Sequence, residues 1–106
     1  MDSFYPEPQD SDAERLMGVE AERVVFGHTH LQFEREGPGG ISLVNPGSVG
    51  MPLDGDHRAA YGLLHDDGRI ELRRVEYDWQ ASARNVREKV GDLPAARIEQ
   101  ARFDVR

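Results

Sequence analysis

The sequence contains no cysteine, which excludes disulfides, thiolate metal ligands and cysteine nucleophiles. It also lacks any apolar run close to the roughly 20 residues that cross a bilayer. Basic residues are scarce, since 13 Lys and Arg stand against 20 Asp and Glu for a formal net charge of -7. That balance disfavours nucleic-acid binding, which needs cations to neutralise phosphates. We therefore expect a cytoplasmic protein that contacts neither membranes nor nucleic acid.

The length of 106 residues fits one small domain, residues 1–106, and the 38% hydrophobic content is ordinary for a soluble protein. Residues 1–10 contain Pro6 and Pro8 and are predicted to form a loop. A capping-box spacing of Ser11 and Glu14 predicts a short helix from Asp12 to Met17.

The apolar run from Arg23 to Phe26 predicts a strand buried on both faces, as in a parallel sheet. Asp67-Gly68 predicts a hairpin, and Asp78 is expected to cap a helix. Further elements are expected at 31–34, 41–44, 61–64 and 69–75 as strands, and from Pro94 as a last helix. The order predicts an α+β fold, with one mostly antiparallel or mixed sheet and helices on one face.

Two histidines, His28 and His30, follow the first apolar strand in the segment Gly27-His28-Thr29-His30. Neutral imidazoles at this spacing can bind a metal ion, although His-x-His alone is a weak signal. The position strengthens the signal, because ligands bind at the carboxyl ends of strands in α/β sheets. We expect Gly27 to allow a sharp turn and Thr29 to fix the loop by hydrogen bonding.

The second informative segment is the loop Asn45-Pro46-Gly47-Ser48, continued by Val49-Gly50. By itself it is a turn-forming exit from a strand, because Pro sets one dihedral angle and Gly tolerates positive ones.

Taken together, the Gly-His-Thr-His and Asn-Pro-Gly-Ser-Val-Gly segments resemble the calcineurin-like metallophosphoesterases, in particular the small bacterial and archaeal phosphodiesterases. The resemblance spans roughly residues 11–90. It implies that the chain is the C-terminal half of a longer domain, one half of a four-layer α/β/β/α sandwich. One departure is Leu53, which stands where relatives often carry Arg.

The resemblance also implies a dinuclear site of manganese, iron, zinc or nickel, in which the ions act as Lewis acids on a phosphoester and activate water. His28 and His30 match two of its ligands. Gly27, Thr29, Asn45, Pro46, Gly47 and Ser48 match the supporting loop. The family's Asp-x-His, Gly-Asp-x-x-Asp and Gly-Asn-His motifs are absent from this sequence. We therefore expect the chain to be inactive, or nearly so, by itself.

Two alternatives stay open at this point. The chain is part of a phosphoester hydrolase, or it is a scaffold module that descends from the same fold. As partners we expect either the missing N-terminal half or a second copy, the latter covering apolar residues such as Val24, Phe26 and Leu43. His57 and His65 are expected to be ordinary surface histidines.

Overall fold

The computed structural model describes residues 3–106 and contains two small sheets and three α-helices within that range. The helices are α1 (Asp12–Arg15), α2 (Trp79–Lys89) and α3 (Asp92–Gln100). The strands are β1 (Arg23–Val25), β2 (Phe33–Glu36), β3 (Ser42–Asn45), β4 (Ala59–Leu64) and β5 (Ile70–Val75). A short 3-10 turn, Pro38–Gly40, lies between β2 and β3. The α+β class is therefore confirmed.

The strands form two sheets rather than the predicted single sheet. The first has the order β1-β3-β2, with β1 parallel and β2 antiparallel to β3. The second is the β4–β5 hairpin, which turns at the predicted Asp67-Gly68 site, where Gly68 has a φ of 86°. The parallel pairing of β1 is as predicted, but the expectation that this strand is buried on both faces is wrong, because it lies at the edge of its sheet and Val25 is 56% exposed.

The side chain of Gln32 joins the two sheets. Its Nε2 nitrogen donates to the carbonyl oxygens of Tyr61 and Arg73, at 3.3 and 3.0 Å. Its Oε1 oxygen accepts a hydrogen bond from Nε of Arg74 at 3.0 Å. One amide therefore holds the β4–β5 hairpin against the loop that carries the two histidines.

The N-terminal segment is a loop, as predicted, over residues 3–10; Met1 and Asp2 lie outside the described residues. It is nevertheless packed. Phe4 and Leu16 form one core cluster with Phe33 and Leu43, and Val24 and Phe26 pack against this cluster. Val24, Phe26 and Leu43, which we expected a second copy to cover, are covered by residues 3–16 of the same chain, so the premise that this half-domain leaves them in water is wrong.

Two local predictions also need correction. Ser11 makes no capping hydrogen bond; its hydroxyl instead accepts a bond from Arg15, and α1 ends at Arg15 rather than Met17. At α2 the predicted cap is present, since Oδ1 of Asp78 accepts from the Ala81 amide at 3.0 Å. No helix in residues 3–106 is long and apolar enough to span a membrane.

The chain is flat and extended for its length. Its radius of gyration is 15.5 Å and its extents are 45 × 32 × 20 Å. A compact domain of this length has a radius of gyration of about 13 Å. The core is correspondingly small, and several large apolar side chains, including Met17, Val25 and Val90, are more than half exposed.

Candidate functional site

The two histidines lie in the segment that follows β1, at the carboxyl end of that strand. The backbone there is unusual, because His28 has a φ of 85° and His30 a φ of 63°. Left-handed conformations are uncommon for residues with a Cβ atom, although His adopts them more readily than most. The turn that sequence reasoning assigned to Gly27 is therefore made by the histidines themselves. Gly27 has no positive φ, and a Cβ at its position meets no atom within 4 Å.

His30 is oriented by a backbone group. Its Nδ1 nitrogen lies 2.9 Å from the carbonyl oxygen of Met51. Because a carbonyl oxygen only accepts hydrogen bonds, Nδ1 of the neutral ring carries the proton and Nε2 presents its lone pair. This is the tautomer that a metal ion requires at Nε2. In metal sites the ring nitrogen that does not bind the metal usually donates a hydrogen bond to a carbonyl or carboxylate oxygen, as Nδ1 does here.

His28 is more exposed, and its ring makes no hydrogen bond within residues 3–106. Thr29, between the two histidines, is buried at 6% exposure and turns its hydroxyl inward. Its Oγ1 oxygen accepts a bond of 3.0 Å from Nδ2 of Asn45, across the gap between the β1 and β3 ends. The Thr29 side chain thus anchors the loop.

Asn45 is fully buried and ties three parts of the site together. In addition to its bond to Thr29, its Oδ1 oxygen accepts from the amide of Gly47 at 2.9 Å. Gly47 has a φ of 88°, and a Cβ there would lie 2.8 Å from Cβ of Ala60 and 3.0 Å from Cβ of Gln32. Glycine is therefore required at position 47 both by the backbone angle and by the space.

The rest of the supporting loop continues this arrangement. Pro46 exposes its carbonyl oxygen to Nε2 of Gln32 at 3.3 Å. Ser48 accepts a 2.9 Å bond on Oγ from the amide of Met51, the residue whose carbonyl oxygen holds His30. Hydrogen bonds connect six of the sequence-predicted residues, directly or through Gln32 and Met51: Thr29, His30, Asn45, Pro46, Gly47 and Ser48. Gly27 and His28 lie in the same loop as Thr29 and His30 but take no side-chain part in these bonds. Met51 is the member that sequence reasoning missed, since a backbone carbonyl leaves no signal in the residue type.

The donor set does not fit a complete metal centre. Within residues 3–106, no group of three or more His, Cys, Asp or Glu side chains is placed to hold a metal ion. Two imidazoles leave most of the coordination shell of a divalent ion to water. We therefore derive no reaction step through a metal ion held by this chain alone.

Leu53, which replaces an expected Arg, lies beside the loop. Its amide donates to the carbonyl oxygen of His30 at 3.3 Å. Its side chain lines an apolar cavity of about 310 Å³ with Tyr5, Thr29, Leu31 and Phe103. Among residues 3–106, no Lys or Arg contributes to the lining of this cavity.

The remaining histidines have structural partners. The ring of His57 stacks on Trp79 with centroids 4.0 Å apart, and its Nε2 lies 2.7 Å from the carbonyl oxygen of Glu99. His65 pairs with Glu71 at 2.9 Å in the hairpin. Beside His57 a larger cavity of about 590 Å³ is lined by Asp56 and Arg58. Hydrogen bonds from Arg58 hold the pKa of Asp56 far below its usual range, so the two charges compensate each other.

Comparison with known proteins identifies the family and a structural neighbour. Residues 5–69 match the family model described as the calcineurin-like phosphoesterase superfamily domain. An uncharacterized protein from Methanocaldococcus jannaschii is 36% identical over 70 residues, which are 52% of this chain and 29% of that protein. The crystal structure of a metallophosphoesterase from Sphaerobacter thermophilus superposes with a TM-score of 0.66 and 26% identity, covering 78% of this chain and 43% of the other. The chain thus spans less than half the length of these two relatives.

Proposed function

Because the chain belongs to the calcineurin-like phosphoesterase superfamily, we propose that it serves metal-dependent hydrolysis of a phosphoester by contributing His28 and His30 as metal ligands. The remaining ligands come from residues outside this chain. The orientation of His30 carries this proposal, because the Met51 carbonyl fixes Nδ1 and leaves Nε2 as a ligand.

Backbone strain at the two histidines supports the same role. A residue other than Gly in the left-handed region costs on the order of 1–3 kcal/mol, and such residues cluster at functional sites. Here two of them, His28 and His30, lie within three positions of each other. The Thr29–Asn45 hydrogen bond between them is buried and holds the strained segment in place. A purely structural turn would be made at lower cost by Gly or Asn.

The scaffold alternative makes a different prediction about these residues. A scaffold does not need a single tautomer of His30 or an exposed imidazole at position 28. The scaffold alternative therefore predicts that neither ring binds a metal ion more tightly than the other histidines do. The hydrolase proposal predicts selective but weak binding, since two imidazoles provide part of a coordination shell.

The experiment is a titration of the ¹⁵N-labelled chain with Zn²⁺, followed through the ring nitrogens of its four histidines. We expect the signals of His28 and His30 to shift at lower Zn²⁺ concentration than those of His57 and His65. A His30→Ala substitution removes the tighter event, and His65→Ala serves as the matched control that retains it. Equal response of all four rings, or none at His28 and His30, contradicts the proposal.

The activity of the isolated chain provides the second measurement. We expect no Mn²⁺-stimulated hydrolysis of bis(4-nitrophenyl) phosphate, because each missing transition-state contact is worth on the order of 10² or more in rate. Turnover that is abolished in His28→Ala would show instead that the chain assembles a complete site.

A further inference from the structure

The apolar cavity beside Leu53 is formed by four separate parts of the chain. Its lining consists of Tyr5, Thr29, Leu31, Leu53 and Phe103, and no charged side chain among residues 3–106 contributes to it. Its volume of about 310 Å³ lies at the lower end of the range of about 300–1,000 Å³ that is typical of ligand pockets. A cavity of this size accommodates one aromatic ring or a short alkyl chain.

Two residues of the lining connect this cavity to the candidate metal ligands. Thr29 stands between His28 and His30 in the sequence. The Leu53 amide donates to the carbonyl oxygen of His30 at 3.3 Å, so the Leu53 side chain starts one hydrogen bond away from the backbone of that histidine. The cavity and the two histidines therefore share one loop. A phosphoester whose phosphate group lies at the histidines has its ester group close to the cavity.

One wall of the cavity is an aromatic ring held by the C-terminal segment. The guanidinium carbon of Arg97 lies 4.1 Å from the centroid of the Phe103 ring, and Nε of Arg97 donates to the Phe103 carbonyl oxygen at 3.1 Å. An antiparallel bridge between Asp54 and Arg102 anchors the same segment next to Leu53. Phe103 is nevertheless 50% exposed. A fixed ring with this much free apolar surface is a favourable contact for an apolar ligand.

The polar atom that Thr29 brings to the cavity is already engaged. Its Oγ1 oxygen accepts hydrogen bonds from Nδ2 of Asn45 at 3.0 Å and from the amide of Leu31 at 3.4 Å. A charged or hydroxyl-rich group that enters the cavity therefore loses its hydration without an equivalent gain in hydrogen bonds or ion pairs. An apolar group gains from the same transfer. The lining thus favours an apolar occupant.

We infer that the cavity binds the ester group of the substrate, that this group is an apolar ring or alkyl chain, and that Leu53 determines this specificity. The inference rests on the function proposed above and adds the class of phosphoester to it. Leu53 is the determining residue because its side chain lines the cavity while its amide is bonded to His30.

The test measures ligand binding to the full chain by NMR of ¹³C-labelled leucine methyl groups, so it requires no turnover. The probes are phenyl phosphate and glycerol 2-phosphate, which carry an apolar and a hydroxyl-rich ester group. We expect phenyl phosphate to shift the signals of Leu31 and Leu53 and to bind at least about tenfold more tightly than glycerol 2-phosphate. Leu64, which is 71% exposed in the hairpin, reports non-specific contact and should not shift.

Four variants test the role of the lining through the ratio of the two affinities, which cancels the attraction of phosphate to an added charge. Leu53→Arg brings a cation to the cavity and should lower the ratio about tenfold, to near one. Phe103→Ala removes the aromatic wall at an exposed position and should lower it as well. Leu53→Met retains an apolar side chain of similar volume and should retain the ratio. Leu64→Arg adds the same charge elsewhere and is the matched control. Circular dichroism checks the fold of each variant.

Zn²⁺ distinguishes a part of the substrate site from an unrelated apolar site. If the ring and the phosphate group of one molecule occupy the cavity and the histidine site together, Zn²⁺ should tighten the binding of phenyl phosphate. It should leave the binding of benzyl alcohol unchanged, because that probe has the ring but no phosphate group.

The outcomes separate this inference from the proposed function. Unshifted Leu31 and Leu53 signals with phenyl phosphate, or an unchanged ratio in Leu53→Arg, overturn the inference even if Zn²⁺ binds at His28 and His30. An equal effect of Zn²⁺ on phenyl phosphate and benzyl alcohol overturns it too, since the cavity then acts independently of the metal ligands. Ring binding that depends on Leu53, in a chain whose His28 and His30 do not respond to Zn²⁺, supports the apolar specificity of the cavity and refutes the proposed function.

Discussion

The Nδ1 nitrogen of His30 lies 2.9 Å from the carbonyl oxygen of Met51, 21 residues further along the chain. That carbonyl is itself held by the turn in which Ser48 accepts a hydrogen bond from the Met51 amide. The tautomer of a candidate metal ligand therefore depends on a serine that does not touch it. This dependence can be measured without any metal ion.

We predict that Ser48→Ala weakens the tautomer preference of His30. In the unsubstituted chain, long-range ¹H–¹⁵N correlation spectra, recorded at a pH at which the imidazole is uncharged, should show the ring proton of His30 on Nδ1. Loss of the Ser48 bond frees the 48–51 turn, so the signals of His30 should move toward a mixture of tautomers. Unaltered ring signals in the variant would mean that the Met51 carbonyl is positioned by other contacts. Ser82→Ala on α2 is the control and should change nothing at His30.

We predict that Thr29→Val costs about 1–3 kcal/mol of unfolding free energy, because it leaves the buried Asn45 amide group without an acceptor. The substitution keeps the shape of the side chain and removes only the hydroxyl. Urea denaturation followed by circular dichroism measures the loss. Asn85→Ala on the exposed face of α2 should cost less than about 0.5 kcal/mol. The Thr29–Asn45 bond is unimportant if both variants melt alike.

A third prediction concerns the glycines. Gly47→Ala should destabilise the chain by about 1–3 kcal/mol, since position 47 has a φ of 88° and a new Cβ would meet Ala60 at 2.8 Å. Gly27→Ala is the matched control in the neighbouring loop, where the backbone angle is ordinary and no atom lies within 4 Å. Thermal melts of both variants decide the matter. A larger loss of thermal stability in Gly27→Ala than in Gly47→Ala would favour a sharp turn at Gly27 over the turn formed by His28 and His30.

The sequence predicts the elements of this site better than their connections. The apolar run of β1 and the Pro-Gly signal after Asn45 are local, and both are found where expected. The sequence predicts the sharp turn at Gly27, because glycine tolerates positive φ, yet the positive φ angles are found at His28 and His30. Nothing in the identity of Met51 indicates a role, because the group that acts is its backbone carbonyl.

The pairing between strands also could not be predicted from the sequence. A single sheet was expected because strand patterns do not state their partners. The structure has two sheets, and they are joined by long-range contacts such as those of Gln32, a polar residue in an alternating run that gives no sign of this role. Likewise, Phe4 and Leu16 pack on Phe33 and Leu43, but the segment of residues 3–16 shows no hydrophobic periodicity that would predict this packing.

The last prediction is a pH dependence in the β4–β5 hairpin. Hydrogen bonds from Arg73 and His65 lower the pKa of Glu71 from 4.5 to about 2. Because the folded-state pKa lies below the unfolded one, the ionised carboxylate stabilises the hairpin fully above about pH 4.5. That contribution should be lost as the pH falls from about 4.5 toward 2. A ¹³C NMR titration of the Glu71 side chain gives the folded-state pKa directly.

The cause of the shift is tested by two neighbouring arginines. Arg73→Gln removes the larger of the two hydrogen-bond contributions, so the Glu71 midpoint should rise toward 4.5. Arg69→Gln removes a charge from the same hairpin without touching Glu71, and the midpoint should stay near that of the unsubstituted chain. Screening by salt acts on both arginines at these exposed positions. If the Glu71 midpoint rises equally in both variants, and if high salt abolishes the lowering of the Glu71 pKa in the unsubstituted chain, the cause is the general positive charge of the hairpin rather than the Arg73 hydrogen bond.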